Sequence, residues 1–212
     1  SPTKARASAV SAVDRKAAAV DLIQRKREAL KRQQQEKLAQ EQATTERWSG
    51  LRIEGRCVRQ EKWDNSMRGK NLVPIRRLAE LQPKGLDQVV IGVLCVPPSK
   101  LQHSPASERQ ASERFVELTF TDLDRQEPVC ATLVLTGRAL EHWALPDGDG
   151  RRHCTVGSIF GVLNPTPTCR VAGMRVSTET QLLKLGTCPA LAFCPARVAN
   201  GQPCGRPYNA EA

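Results

Sequence analysis

The sequence predicts a mainly β domain, a five-stranded barrel preceded by a long N-terminal α-helix and followed by a truncated, cysteine-containing segment. Three observations lead to this fold class. Residues 11–47 contain neither glycine nor proline, and most are Ala, Gln, Glu, Lys or Arg. Residues 89–178 contain short apolar or alternating runs separated by turn residues. The C-terminal residues carry Cys194 and Cys204 among several glycines and prolines.

The first predicted element is a helix over residues 11–47, because this stretch is composed of strong helix formers. Apolar residues begin a heptad-like stripe at Val13 and Val20, but Arg27 then occupies the same seam. A coiled coil normally keeps its stripe over three or four heptads. We therefore interpret residues 1–48 as a basic, solvent-exposed helical extension. We favour this interpretation over a helix that dimerises as a coiled coil.

Five strands and one short helix are predicted within a domain at residues 49–182. Residues 89–96 form a continuous apolar run that ends at two prolines, which indicates a buried strand. Residues 115–123 alternate polar and apolar side chains, which is typical of a half-exposed strand. The remaining elements are a strand at 129–135, a short helix at 137–145, and strands at 154–163 and 171–178.

The position of the helix, between the third and fourth strands, is that of the OB-fold. This partly open barrel uses one face and its loops to bind single strands of nucleic acid. Five-stranded small barrels also include modules that bind proteins, so strand order leaves both functions open.

The formal net charge of +10 is concentrated at the two ends of the chain. Basic residues outnumber acidic ones in residues 1–48 and 151–212, whereas the two balance in residues 49–150. Such a distribution suits contact with a phosphate backbone. It equally suits an ordinary solvated surface or an acidic protein partner.

No pattern in the sequence predicts catalysis. The three histidines are scattered, and there is no nucleophile beside a base, no phosphate-binding loop and no pair of carboxylates in an apolar setting. We therefore expect a protein that is not an enzyme. No run of 18 apolar residues is present, so no membrane span is predicted.

Five cysteines fall mostly in apolar or strand-like runs, where a reduced cysteine behaves as a small hydrophobic residue. We expect these five to be core residues without disulfides: Cys57, Cys95, Cys130, Cys154 and Cys169.

Cys194 and Cys204 are spaced like two of the four ligands of a metal-binding knuckle. A tetrahedral zinc site needs four nitrogen or sulfur ligands, and the histidines of this chain lie upstream in other elements. We therefore expect the other two ligands to lie beyond Ala212, and the chain to be a fragment of a larger protein. With two of four ligands, we expect weak zinc binding and poor order in residues 186–212.

Several stretches share order and spacing with a known family over about residues 49–209. They are residues 49–53 (SGLRI), 72–81, 90–94 (VIGVL), 115–123 with its TDL ending, 157–165, and 185–187 (LGT) leading to Cys194 and Cys204. Together they resemble the conserved internal domain of the minichromosome maintenance protein ten family, a eukaryotic replication initiation and elongation factor.

The resemblance implies an OB-fold at residues 49–182, followed at 183–212 by the start of a zinc finger with three cysteines and one histidine. Cys194 and Cys204 would be its first two zinc ligands. The implied function is non-enzymatic binding of single-stranded, and also double-stranded, DNA as a scaffold at the replication fork in the nucleus. The implied partners are the replicative helicase, DNA polymerase alpha and the sliding clamp.

Phe115 shares the polar face of its strand with Glu117 and Thr119, where an aromatic ring can stack on a base or serve as a hydrophobic residue at the rim of the barrel. The resemblance places a DNA-contacting aromatic of the family at the same position. Guanidinium groups bind phosphate in a bidentate fork, and the candidate phosphate ligands are Arg114, Arg138, Arg151, Arg152, Arg170, Arg175 and Arg197.

Two departures from the family predict weaker DNA binding. Cys95 and Val96 stand where the family has basic residues at the end of the first strand, and Arg197 alone remains of a lysine-rich run between the first two zinc ligands. The alternative function is a protein-interaction module whose groove binds a partner peptide or an acidic protein surface.

Overall fold

The structure is a computed structural model. The chain forms two compact units, Ser1–Gln42 and Ala43–Ala212. The residues that the structure describes are 24–28, 30–31, 44–83, 87–104, 113–124, 126–146, 153–168 and 172–211. In the first unit, residues 24–28, 30 and 31 are helical. The rest of the helix predicted over residues 11–47 lies outside the described residues, apart from its end.

The end of that predicted helix is wrong, because Thr44–Thr45 is a β-strand and the chain turns immediately after it. The carboxylate of Glu46 accepts hydrogen bonds from the backbone N–H groups of Trp48 and Ser49. These bonds hold the chain in a turn, in which Gly50 N also donates to the Glu46 carbonyl oxygen at 2.8 Å.

The second unit is mainly β. Its strands are β1 (Thr44–Thr45), β2 (Arg52–Ile53), β3 (Asn71–Leu72), β4 (Gln88–Val96), β5 (Gln102–His103), β6 (Arg114–Thr121), β7 (Cys130–Leu135), β8 (Ser158–Leu163), β9 (Thr166–Pro167), β10 (Gly173–Val176), β11 (Leu182–Thr187), β12 (Leu191–Phe193) and β13 (Pro207–Asn209). Its helices are α1 (Gln60–Met67), a 3-10 helix (Ile75–Glu80), α2 (Gly137–Ala139), which continues into a π-helical turn (Leu140–Ala144), and a 3-10 turn (Glu179–Gln181). Within the described part of the chain, no helix combines the length and the apolar character needed to cross a membrane.

Most strands belong to one mixed sheet with the order β11-β8-β4-β6-β7-β10-β9. β3 pairs with β4 in parallel and β5 pairs with β6 antiparallel, beside this path. β10 pairs with β7 in parallel, whereas β4, β6, β7 and β8 form antiparallel pairs along the path. Two small antiparallel sheets, β1-β2 and β12-β13, complete the described strands.

The sheet is open, whereas the sequence predicts a five-stranded barrel. The described hydrogen-bonded path ends at β11 on one side and at β9 on the other. The predicted fifth strand, residues 171–178, contains β10, which pairs with β7. The next strand, β11, pairs instead with β8. Between them the 3-10 turn is fixed by a capping box in which Thr178 and Gln181 exchange hydrogen bonds.

The strands and helix predicted between residues 89 and 178 are all found, as β4, β6, β7, α2, β8 and β10. The predictions omit α1 and the short strands β1, β2 and β3, and they place no strand after residue 178. Residues 186–212, which we expected to be poorly ordered, contain the hairpin of β12 and β13. Backbone hydrogen bonds pair its two strands.

Two groups of buried side chains form the core, one on each face of the sheet. Val90 and Leu94 of β4 belong to the group that includes Phe120 and Phe160. Val89 belongs to the group that α1 covers. Because β4 is buried on both faces, its sequence is continuously apolar and does not alternate.

The second group depends on a close approach between α1 and β8. Trp63 of α1 is fully buried and lies over Gly161 of β8. A Cβ atom at Gly161 would lie 2.4 Å from Cη2 of Trp63, which is far inside van der Waals contact. The glycine therefore makes room for the tryptophan ring, and α1 covers this face of the sheet.

Candidate nucleic-acid interface

The outward side of β6 is the surface on which the predicted base-stacking residue lies. Val116, Leu118 and Phe120 are buried, whereas Phe115 and the two polar residues that follow on its side of the strand are half-buried. The side chain of Phe115 therefore faces away from the core, as its alternating pattern predicts. We call this surface, formed by the outward side chains of β6, β7 and β10, the outward face.

Residues 99–103, which precede β6 in the chain, hold the outward face in place through hydrogen bonds to β6. Ser99 N donates to the carbonyl oxygen of Glu117 at 3.0 Å, and Ser99 Oγ accepts from Glu117 N at 2.9 Å. Gln102 pairs with Phe115 in the β5–β6 ladder, and its side-chain amide donates to Ser99 Oγ at 3.3 Å. These bonds hold the backbone of Phe115 against β5.

Two of the predicted phosphate ligands lie near the start of β6, and a third lies on α2. Arg114 is an exposed neighbour of Phe115, and Arg175 of β10 belongs to the same outward face. Arg138 lies on α2, three residues before Glu141, which places these two side chains on one side of the helical turn. We call Arg114, Arg138 and Arg175 the arginine cluster.

Carboxylates that the sequence analysis did not single out lie within the arginine cluster. Arg114 Nη2 lies 3.7 Å from Glu141 Oε1, and Arg175 Nη1 lies 3.4 Å from Glu113 Oε2. All four side chains are about half exposed, so both ion pairs lie at the surface. Exposed pairs of this kind contribute little to stability, and a phosphate group can therefore replace the carboxylate at small cost.

The other predicted arginines lie in the C-terminal hairpin or outside the described residues. Arg197 is exposed in the C-terminal hairpin, where it forms an isolated bridge with Pro203. Arg151, Arg152 and Arg170 lie outside the described residues.

A cleft of about 630 Å³ lies at another part of the second unit, between the β1–β2 turn and the C-terminal hairpin. Arg76 on its wall pairs with Asp122 at 3.3 Å and with Asp124 at 3.0 Å. The hydrogen bond that Arg76 donates to Asp122, together with the charge of Asp124, raises the pKa of Arg76. Ser49 and Cys188 also line the cleft, but the Ser49 hydroxyl donates to Glu46 and burial raises the pKa of the Cys188 thiol, so neither side chain is activated as a nucleophile.

The two predicted zinc ligands lie next to each other in the C-terminal hairpin. Cys194 N donates to the carbonyl oxygen of Arg206 at 2.9 Å, and Gly205 N donates to that of Cys194 at 3.2 Å. Cys204 N donates to the carbonyl oxygen of Ala196 at 2.6 Å. Both cysteines are half-buried free thiols.

Among the described residues, no group of three or more histidine, cysteine or acidic side chains is arranged to hold a metal ion. A structural zinc site needs four ligands. The described residues therefore do not make a zinc site by themselves, although the hairpin presents two cysteines side by side.

Two of the five predicted core cysteines are on the surface. Cys95 and Cys154 are buried as predicted, whereas Cys57 and Cys130 are exposed. Burial raises the pKa of Cys154 to about 12, as expected for a thiol in the core. Cys130 is the first residue of β7 and is exposed there, although its partner Thr121 on β6 is fully buried. Cys169 lies outside the described residues.

No family model matches the chain. A similar solved structure is the solution structure of the OB domain of Ta0387 from Thermoplasma acidophilum, with 9% sequence identity, 61% of this chain and 95% of that chain covered, and a TM-score of 0.29. A likeness at this TM-score does not establish a shared fold, and the resemblance to the replication-factor family stays a prediction from the sequence.

Proposed function

We propose that the second unit is an OB-type module that binds single-stranded DNA across its outward face. The strand order supports the fold assignment, since β4, β6, β7 and β8 follow one another with a short helix between the third and the fourth. In OB-folds the second and third strands and the loops beside them bind oligonucleotides. The corresponding strands here are β6 and β7.

The observation that carries this proposal is the position of Phe115 beside the arginine cluster. Single-strand-binding proteins combine an aromatic surface for the bases with positive charge along the backbone path. Phe115 supplies the ring, and Arg114, Arg138 and Arg175 supply the charge. Stacking of one base on such a ring contributes about 1 to 3 kcal/mol with little dependence on base identity.

Fluorescence anisotropy with a labelled oligonucleotide of roughly 20 nucleotides, repeated over a salt series, tests the proposal. We expect binding that weakens as salt rises, and a loss of about 1 to 3 kcal/mol for Phe115→Ala. Phe115→Leu is the matched variant, since it keeps an apolar side chain but removes the ring. A similar loss in both variants, with folding unchanged, identifies stacking as the cause.

The charge contribution has its own control. Arg175→Ala and Arg77→Ala each remove an exposed arginine from a surface ion pair, with Glu113 and Glu80 respectively. Arg77 lies on the 3-10 helix, outside the outward face. We expect Arg175→Ala to reduce both affinity and the salt slope, while Arg77→Ala changes neither. Equal effects of the two variants would contradict a DNA path over the arginine cluster.

A second function is favoured by the carboxylates Glu113 and Glu141, which reduce the net charge of the arginine cluster. A surface of mixed sign suits a protein ligand better than a polyanion. If the folded chain binds no oligonucleotide at low salt, the outward face is a protein-binding surface for a partner peptide or an acidic protein surface.

We also propose, on the basis of the sequence resemblance, a non-enzymatic scaffolding role at the replication fork in the nucleus. Its partners would be the replicative helicase, DNA polymerase alpha and the sliding clamp, and Cys194 and Cys204 would supply two ligands of a structural zinc. Direct binding of each purified partner to this chain tests the role. A chain that binds DNA but none of the three would retain the binding function and lose the replication-specific one.

A further inference from the structure

One end of the main sheet is a threonine–proline dipeptide. Thr166 and Pro167 form β9, which pairs with β10 and is the last strand of the described path. Proline cannot donate a ladder hydrogen bond, so within sheets it is confined to edge strands, strand starts and bulges. The sequence of β9 therefore suits an edge strand, and it places a threonine hydroxyl at the rim of the sheet.

The backbone of Thr166 is held in an extended conformation. A residue that precedes a proline is restricted to extended backbone, and pairing with Arg175 in the antiparallel ladder holds the same conformation. Thr166 is exposed, and its hydroxyl donates to the carbonyl oxygen of Arg175 at 3.3 Å. A proline-directed protein kinase modifies a serine or threonine that is exposed, extended and followed by proline. Thr166 meets all three conditions.

The strand register places Thr166 on the outward face, beside the arginine cluster. Glu117 of β6 pairs with Val134 of β7, and Val134 pairs with Arg175 of β10. Arg175 pairs in turn with Thr166. Directly opposed residues of an antiparallel pair have their side chains on the same face, with Cβ atoms about 4.5 to 5.5 Å apart. A group attached to Thr166 therefore lies within reach of the Arg175 guanidinium.

Arg175 is available to such a group because its present ion pair is weak. Its Nη1 atom lies 3.4 Å from Oε2 of Glu113, and both side chains are about half exposed. Exposed pairs of this kind contribute little to stability. A phosphate monoester carries about 1.5 to 2 negative charges at pH 7 and accepts a bidentate guanidinium. A phosphate on Thr166 would therefore compete with Glu113 for Arg175.

We propose that Thr166 is a phosphorylation site for a proline-directed kinase, and that its phosphate binds Arg175 and weakens DNA binding by the outward face. The effect on DNA rests on the proposed function, whereas the modification itself does not. In the transfer, Oγ1 of Thr166 attacks the γ-phosphorus of ATP. An O–P bond forms, the bond from the γ-phosphorus to the β–γ bridging oxygen breaks, and ADP leaves. The hydroxyl proton passes to the catalytic aspartate of the kinase.

The phosphate acts against DNA in two ways. It occupies the guanidinium of Arg175, which then no longer neutralises a phosphate of the DNA backbone. Its own negative charge also repels the backbone at this edge of the outward face. Because the salt dependence of binding reflects the number of neutralised phosphates, we expect both the affinity and the salt slope to fall.

The first test is incubation of the whole chain with ATP and a purified proline-directed kinase, followed by peptide mapping. We expect one phosphoryl group on the peptide that contains Thr166. Thr166→Val keeps the shape of the side chain without its hydroxyl, and its peptide should stay unmodified. A synthetic peptide of residues 160–172 shows that the kinase accepts this sequence. Phosphorylation of the synthetic peptide but not of Thr166 in the folded chain overturns the proposal.

The contact with Arg175 has a readout that does not involve DNA. The second pKa of a phosphothreonine is ordinarily about 6, and a neighbouring guanidinium lowers it because it favours the dianion. Glu113, the present partner of Arg175, opposes this effect. In a ³¹P NMR titration of the phosphorylated chain we expect an inflection below the ordinary value, and a rise toward it in Arg175→Ala. Equal inflections in the two proteins contradict the assigned contact.

Fluorescence anisotropy with the same oligonucleotide tests the effect on DNA. We expect phosphorylated wild type to bind about fivefold or more weakly than Thr166→Val treated with the same kinase, with a smaller salt slope. Thr166→Asp should weaken binding by about threefold, whereas Thr166→Asn, which has a similar shape and no charge, should not. Unchanged affinity of the phosphorylated chain overturns the proposed effect.

Thr187→Asp is the matched control for added charge. Thr187 is an exposed threonine of β11, at the other end of the described path, and its hydroxyl donates to the carbonyl oxygen of Glu54 at 3.0 Å. Equal losses of affinity in Thr166→Asp and Thr187→Asp would show that the position of the charge does not matter, and would contradict the proposal. If the unmodified chain binds no oligonucleotide, the proposed DNA binding fails, while peptide mapping and the ³¹P titration still decide the modification and its contact.

Discussion

At the scale of single residues, Glu46 is a fully buried carboxylate that joins the entry of the β domain to α1. Its Oε1 atom accepts the indole N–H of Trp63 at 3.0 Å. Its Oε2 atom accepts the backbone N–H groups of Trp48 and Ser49 and the hydroxyl of Ser49. A buried charge is tolerated when its hydrogen-bonding capacity is filled in this way.

We predict that Glu46→Gln destabilises the protein although it preserves the shape of the side chain. A glutamine amide has one accepting oxygen, so its NH2 group must face Trp63 or the Ser49 turn, where the other groups are donors as well. The expected loss is about 1 to 3 kcal/mol in urea unfolding followed by tryptophan fluorescence. Glu61→Gln, in the exposed first turn of α1, is the control and should cost a few tenths of a kcal/mol at most. Equal stability of the two variants would show that the Glu46 network contributes nothing.

At the scale of elements, the C-terminal hairpin of β12 and β13 is formed by backbone pairing between Leu191 and Asn209, Ala192 and Tyr208, and Phe193 and Pro207. The turn beyond these pairs places Cys194 close to Cys204 through the backbone hydrogen bonds of its flanks. Two adjacent thiols are half of a structural zinc site. Zinc that completes four ligands supplies folding free energy, and two ligands supply far less.

We predict that this 212-residue chain binds zinc more weakly than a Kd of about 1 μM, measured by competition with a chromophoric chelator. Cys194→Ser should reduce the remaining binding, whereas Cys57→Ser, at an exposed cysteine outside the hairpin, should not. The hairpin itself should remain folded in Cys194→Ser, because its backbone pairs do not involve the thiol. Tight stoichiometric zinc would mean that other residues complete the site.

At the scale of the whole molecule, the two units differ in how their chains can fold. The unit Ala43–Ala212 contains the sheet and both groups of buried side chains. Of the unit Ser1–Gln42, the described residues are helical and exposed. A chain segment contributes to stability through the apolar surface that it buries.

We predict that residues 43–212 fold alone, with a free energy of unfolding within ~0.5 kcal/mol of the full chain and the same denaturant slope. The matched control is a fragment of residues 55–212, which also lacks Glu46 and Ile53, both fully buried. This shorter fragment should unfold at much lower urea, because Trp63 loses its carboxylate partner and its neighbours in the core. Equal stability of the two fragments would contradict the role assigned to the entry segment.

Much of the central sheet follows from local sequence patterns. The apolar run at residues 89–96 became β4, which is buried on both faces, and the alternation over residues 115–123 became β6 with Phe115 on its outward side. Both patterns depend only on neighbouring residues and on which faces are buried. The short strands β1, β2 and β3 have two residues each, too few for any periodicity to show.

The sequence by itself determined the mainly β class, the central strands and the outward position of Phe115, because each depends on interactions within a few residues. Only the tertiary structure decided that the predicted barrel is an open sheet and that Glu113 and Glu141 face the arginines. Those features depend on which strands pair and in what register. Register is set by the packing of the whole sheet, so residues far apart in the chain meet without a local signal.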